Sequence, residues 1–337
     1  MSYRITIIGL GRTGEAIAAA LKRTGVKMEL VGHDKDHDAV RRAHKNGCVD
    51  RTEWNLLNAC EGADLVVLAI PLAGIRDTLE AIGPELKAGC VVTDTASLKV
   101  PVLEWASQIL PENIYFVGGH PILELDDSTV SAPDLLSGIT YCLCPATDTP
   151  QEALQSISNL VEAVGARAYF IDAAEHDGLI AAVGQMPALT AAALQLAVGA
   201  SPCSREMQQV SGVDFTASTR SLSVDPRNLA GLCLENRANI TRWLDVLLTQ
   251  LAGVRELVSG GESEALEEIF MRAAETHSTW TNKEVEKGKP VDYGNFSTTH
   301  MMMGDLFRNK TLSLEEDRSK ETRPGSGSSK GKDEQAS

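Results

Sequence analysis

The chain has no Cys-x-x-Cys pair, no excess of positive charge and no long apolar run at its N-terminus, and each absence removes a class of function. Its seven cysteines, at 48, 60, 90, 142, 144, 203 and 233, have neither zinc-site nor disulfide-framework spacing, so a reducing cytoplasm is the expected location. Cys142 and Cys144 alternate on one face of an expected strand, where they read as small apolar residues. Lys and Arg number 31 against 46 Asp and Glu, a formal net charge of −15, which argues against nucleic acid and anionic membrane surfaces as partners. The first apolar run is broken by Gly9 and Gly11 and is too short for a signal peptide. His33, His37 and His44 lack a carboxylate–histidine pattern with site spacing, so no metal is expected. No internal repeat is visible.

Charge is also missing locally. Residues 178–204 carry none, a length that can cross a bilayer. The stretch is rich in alanine, is interrupted by Gly184, Gln185 and Pro187, and lacks aromatic flanks. The expectation is a soluble chain in which this helix is buried on all sides, in a domain core or a dimer interface.

At 337 residues with a 43% hydrophobic fraction, the chain is long enough for two domains, each with its own core. Tyr3 to Ile8 reads as a buried strand and Arg12 to Arg23 as a helix with apolar positions at Ile17, Ala20 and Leu21. Between them lies Gly9-Leu10-Gly11-Arg12-Thr13-Gly14. In a Rossmann opening Gly9 permits the tight turn, Gly11 lets the backbone approach a pyrophosphate, and Gly14 lets helix and strand pack closely. The helix N-terminus presents unpaired N–H groups to the anion. Asp34, about twenty residues beyond Gly14, stands where an acid accepts the ribose hydroxyls and repels a 2′-phosphate, favouring NAD over NADP. Lys35 beside it softens that discrimination.

Strands and helices alternate from Tyr3 to about Asp172: further strands at 64–70, 90–93, 115–117, 141–144 and 168–171, helices at 73–86 and 151–164. This pattern predicts a doubly wound, mostly parallel sheet over 1–172. Thereafter only helices are expected, near 173–199, 202–212, 226–258 and 262–287, giving an all-helical substrate and dimerisation domain over 173–309. Residues 310–337 lack aromatics and are nearly all polar, so a disordered tail is expected. A small-molecule substrate then belongs in the cleft outside the carboxyl ends of the strands.

Three segments should face that cleft: Asp94-Thr95-Ala96-Ser97-Leu98-Lys99, then Gly118-Gly119-His120-Pro121 as a glycine-flanked loop after the 115–117 strand, then His176-Asp177 with Thr219-Arg220 and Asp225-Pro226 further on. With the glycine-rich opening and Leu135-Leu136-Ser137-Gly138, their order and spacing resemble the prephenate/arogenate dehydrogenase family of tyrosine biosynthesis, over nearly the whole chain to about Asn309. The resemblance implies oxidative decarboxylation of a cyclohexadienol: a ring hydride passes to the nicotinamide, the hydroxyl loses its proton and CO₂ leaves. It implies His120 as the catalytic base, Ser97 between hydroxyl, histidine and nicotinamide, Arg220 on a substrate carboxylate, Ile70 and Pro71 at the nicotinamide end, and a homodimer formed through the helical domain. Imidazole suits the base role near neutral pH, and a guanidinium fork suits a carboxylate. Ser97 also reads as a helix N-cap, Lys99 as a solvated or phosphate-facing cation, and His176-Asp177 as helix-start residues suited to the dipole.

The chain departs from the family in three places. Ile122-Leu123-Glu124-Leu125-Asp126-Asp127 is apolar then acidic, where the family has a glycine-containing loop that often includes a lysine. Gly184-Gln185-Met186-Pro187-Ala188 replaces Ser-His-x-Pro-His, which puts Gln185 at a substrate position and removes two histidines. Leu229 falls where tryptophan is frequent. Fewer cations favour an amine-bearing substrate, arogenate or a related amino-substituted cyclohexadiene, over prephenate. The departures leave two alternatives open: a related NAD(P)-dependent dehydrogenase acting on another small carboxylate, and a nucleotide-binding regulator without turnover.

Overall fold

A computed structural model describes residues 3–123, 134–223 and 225–281. Residues 124–127 of the acidic loop, the 282–309 segment and the expected tail lie outside the described residues. Eight strands form one sheet: β1 (Tyr3–Ile8), β2 (Met28–His33), β3 (Arg51–Thr52), β4 (Leu65–Leu68), β5 (Val91–Asp94), β6 (Tyr115–Pro121), β7 (Thr140–Pro145) and β8 (Arg167–Phe170). Their order is β3-β2-β1-β4-β5-β6-β7-β8, parallel throughout except where β7 runs antiparallel to β6. β1, β4 and β5 are short β-branched runs buried on both faces, as parallel central strands must be.

Helices α1 (Arg12–Arg23), α2 (His37–Lys45) and α6 (Gln151–Ala163) cover one face of this sheet, and α3 (Leu56–Cys60), α4 (Leu72–Ile82) and α5 (Val100–Ile109) the other. Ile17, Ala20 and Leu21 are buried with Ile5, Ile7 and Leu30, the apolar stripe of α1 meeting the sheet. Local chemistry starts the helices: Asp36 accepts Asp38 N at 2.9 Å, and Asn55 accepts Leu57 N at 2.9 Å and Asn58 N at 3.1 Å.

After β8 the described chain is helical. α7 (Ala173–Ile180) continues through a π-helical turn (Ala181–Gln185) into α8 (Met186–Gly199), followed by α9 (Ser204–Val210), α10 (Val213–Thr219), a 3₁₀ turn (Arg220–Ser223), α11 (Pro226–Glu235), α12 (Arg237–Gly260) and α13 (Ser263–Thr281). The π turn ends two residues before Pro187, whose ring cannot follow a regular α-helical turn and lacks an N–H.

Three expectations change here. The expected helix over 226–258 is two, because Asn236 turns its side chain inward to the Asp177 carbonyl (2.9 Å) and to Gln185 Oε1 (2.7 Å) with φ −114° and ψ 24°. The 173–199 helix is long and apolar enough to cross a membrane by length and composition, yet only 33% of its apolar window is buried within the chain. Within the chain it is not covered on all sides, since Leu179, Val183, Leu194 and Leu196 are exposed; this removes the domain-core alternative and leaves the dimer interface open. Finally, His120 is not in a loop. Antiparallel pairing with β7 carries β6 on to Pro121, with His120 opposite Cys142.

Candidate active site

Each glycine of the nucleotide-binding turn has a distinct surrounding. Gly9 takes φ +95°, and a Cβ there would stand 2.3 Å from the Ala69 carbonyl oxygen. A Cβ on Gly14 would stand 1.8 Å from the Gly9 oxygen, while one on Gly11 meets nothing within 4 Å. The first and third glycines are thus fixed by packing, and the second faces open space at the N-terminus of α1. Leu10 is fully buried, and its N–H donates to Asp34 Oδ2 at 2.6 Å. Arg12 is exposed and Thr13 half-buried at the helix start. Asp34 also accepts Asp36 N at 2.8 Å, so its carboxylate braces the turn and stays half-buried, with Lys35 exposed beside it. Ile70 is half-buried against Gly9, and Pro71 is exposed at the start of α4. Sequence reading missed Trp54, 53% exposed just beyond β3 and stacked with His37 at a centroid distance of 4.2 Å. The parallel pairing of β3 with β2 brings it to the sheet edge that carries Asp34.

His120 lies on the carboxyl-terminal extension of β6. Gly118 and Gly119 serve packing here more than freedom of approach: a Cβ on Gly119 would stand 2.6 Å from the Asp94 carbonyl oxygen. Lys99, expected in solvent or facing a phosphate, is fully buried with Asp94 as an ion pair. Its ammonium donates to the Gly119 carbonyl at 2.6 Å, and Asp94 accepts Gly119 N at 3.0 Å and Ala96 N at 2.9 Å. Every polar group of the pair is engaged, the condition for burying charge. Burial pushes the Asp94 carboxyl up, while Lys99 and the two N–H groups oppose the rise. Burial holds the His120 imidazole well below its usual range, helped by the Lys99 charge and by His176. His120 is therefore a neutral imidazole near pH 7.

Its Nδ1 is 3.0 Å from His176 Nε2, and His176 Nδ1 is 2.8 Å from Asp177 Oδ1. Asp177 accepts Lys99 N at 2.8 Å and Val100 N at 2.9 Å, and so caps α5 from α7. This corrects two readings. Ser97 is half-buried in the β5–α5 loop, and the N-cap position of α5 falls on Lys99. The start of α7 is capped by Asp172, through Ala174 N (2.8 Å) and Glu175 N (3.1 Å), which leaves His176-Asp177 one turn inside and buried.

Arg220 is exposed on the 3₁₀ turn, which Ser221 ties to the Pro187 carbonyl at 3.1 Å. The 184–188 segment and Arg220 are thus neighbours. Gln185 is buried: its Nε2 donates to the Leu232 carbonyl at 3.2 Å and its Oε1 accepts from Asn236. Both ends of that amide are engaged within the fold. A cavity of about 730 Å³ among α8, α9 and α10, lined by Val198, Arg205, Met207, Gln208 and Phe215, includes none of these residues.

Comparison with known proteins gives the same two-part organisation. The prephenate dehydrogenase nucleotide-binding domain matches residues 17–170, and the prephenate dehydrogenase dimerization domain matches residues 172–272. The chain is 27% identical over 279 residues to a prephenate dehydrogenase of Bacillus subtilis, covering 81% of this chain and 75% of that one. It is 28% identical over 270 residues to a cyclohexadienyl dehydrogenase of Zymomonas mobilis, covering 79% and 92%. Its fold is similar to that of the A. aeolicus prephenate dehydrogenase solved with hydroxyphenyl propionate and NAD+, with a TM-score of 0.76 and 23% identity over 83% of this chain and 98% of the other. With both parts matched in order along one chain, the protein belongs to the prephenate dehydrogenase family.

Proposed function

We propose that this protein catalyses the oxidative decarboxylation of a cyclohexadienyl carboxylate in tyrosine biosynthesis, with NAD as the oxidant. The observation that carries this reading is a neutral, half-buried imidazole, His120, on the same sheet edge as a glycine turn open at Gly11.

The residues present fit a dinucleotide. The backbone of Gly11, Arg12 and Thr13 at the α1 N-terminus takes the pyrophosphate. Asp34 takes the ribose hydroxyls and disfavours a 2′-phosphate. Trp54 offers a flat, exposed ring next to that end, and Ile70 and Pro71 line the nicotinamide end. When bound, the nicotinamide supplies the acceptor for the hydride leaving the ring. His120 removes the proton from the substrate hydroxyl, which its depressed basicity leaves it free to do at neutral pH. Ser97 orients that hydroxyl, and Arg220 holds a carboxylate. Gln185 and Ala188 bring no cation to the substrate end, which favours a substrate carrying an amine, arogenate over prephenate. Residues 173–309 form the substrate and dimerisation part of a cytoplasmic homodimer.

Absorbance at 340 nm, with prephenate or arogenate and NAD or NADP in all four combinations, tests the proposal. Turnover is expected, highest with arogenate and NAD. Absence of turnover in all four, with NAD still quenching Trp54 fluorescence, would overturn the catalytic reading. His120→Asn is expected to lower kcat by about a hundredfold or more while NAD affinity is kept.

A further inference from the structure

Two buried groups adjoin His120 with no role so far assigned in the reaction, His176 and Asp177. We propose that they are positioning residues that fix the tautomer of His120, holding its proton on Nδ1 and leaving the Nε2 lone pair for the substrate hydroxyl. The proposal rests on the reading of His120 as the base.

The argument runs inward from the carboxylate. Asp177 already accepts two backbone N–H groups at the start of α5, from Lys99 and Val100, and an ionised carboxylate offers only acceptors. His176 Nδ1, 2.8 Å away, must therefore carry a proton. In the neutral ring this leaves His176 Nε2 as an acceptor, and it lies 3.0 Å from His120 Nδ1. His120 Nδ1 then carries the proton, and Nε2 is the free base. Two ring tautomers are thus set by one carboxylate, and that carboxylate is itself anchored by a helix N-terminus.

The titratable groups around His120 are Lys99 and Asp94 from the β5–α5 segment, Cys142 opposite on β7, and His176 and Asp177 from α7. Lys99 and His176 both disfavour a proton on His120, so the neutral ring is the state that the His176–Asp177 chain orients. The rings meet edge to face at 80° with centroids 5.1 Å apart, so the contact is a directed hydrogen bond rather than a stack.

Asp177→Asn leaves one oxygen for three donors, Lys99 N, Val100 N and His176 Nδ1, so it loosens the His176 tautomer and with it the proton on His120 Nδ1. The expected loss is about a hundredfold or more in kcat, by the logic of a histidine held in the wrong tautomer. His176→Phe removes the acceptor for His120 and leaves the α5 cap in place, so it separates positioning from folding. His176→Gln puts an amide oxygen near the former Nε2 and should recover at least about tenfold over His176→Phe.

The deciding measurement is long-range ¹H–¹⁵N correlation of the histidine rings in the full-length protein, read beside kcat, KM and the pH profile of each variant. The proposal expects His120 with its proton on Nδ1 in the unaltered protein and part of it on Nε2 in Asp177→Asn. It also expects losses concentrated in kcat and an acid limb displaced in His176→Phe. A proton on Nε2 in the unaltered protein overturns it, and so does a folded His176→Phe with kcat and pH profile unchanged. If the tautomers are as expected and no cyclohexadienyl substrate turns over, the proposed reaction fails and the tautomer assignment stands.

Discussion

The Lys99 ammonium and the Asp94 carboxylate form an ion pair with neither side chain exposed, directly beneath the strand that carries His120. Between them they hold both sides of the Gly119 backbone, Lys99 at its carbonyl and Asp94 at its N–H. The residue preceding the base is thereby pinned.

Lys99→Met should destabilise the fold by about 3–5 kcal/mol, because it leaves Asp94 buried without its partner charge. Urea unfolding of the two proteins at neutral pH measures this. A loss below about 1 kcal/mol, the scale of an exposed pair, would contradict the burial seen here.

Gly11→Ala and Gly14→Ala should separate binding from folding. The alanine methyl at 11 meets nothing, so thermal stability should hold while NAD affinity falls by about tenfold or more. At 14 the methyl would stand 1.8 Å from the Gly9 oxygen, so the β1–α1 packing itself must give way. Melting temperature and NAD titration read the two effects. Equal losses of stability at both positions would refute the distinction.

The protein should lose stability as pH falls through about 6.5. The unfolded chain protonates His120 near its ordinary value of 6.5, and the folded chain only at lower pH. The unfolded state therefore binds more protons in that interval, and acid favours it until the folded imidazole also titrates. His120→Asn should flatten this part of the curve of unfolding free energy against pH. An unchanged slope would mean that other groups dominate it.

A charge on the uncovered helical face should dissociate the proposed homodimer. Leu196 on α8 is 72% exposed and Leu251 on α12 55% exposed, values costly for apolar side chains left in water. Leu196→Asp combined with Leu251→Asp should shift sedimentation toward the monomer while the sheet remains folded. A dimer of unaltered affinity would place its interface elsewhere.

Much of the sheet was legible because parallel strands buried on both faces must be short apolar runs, and helices between them must show one apolar stripe. β1, β4 and α1 follow from those two periodicities alone. The glycine turn was legible for a related reason, since its spacing answers to local backbone geometry. Lys99 was misread because sequence gives a lysine the same letter in solvent or in the core; only the return of Asp94 and Gly119 to one point encloses it. Asn236 broke an expected helix through contacts with Asp177 and Gln185, more than fifty residues away.

By itself the sequence determined most of the alternation of strands and helices and the dinucleotide turn with its acid at Asp34, because each depends on patterns within a few dozen residues; His120 as the candidate base was implied by the family resemblance. Tertiary structure alone decided that His120 sits on a strand, that Asp177 caps α5 from another helix, and that His176 bridges the two. Those are hydrogen bonds between residues 56 to 78 positions apart, and their directions are set only when α7 docks against the edge of the sheet.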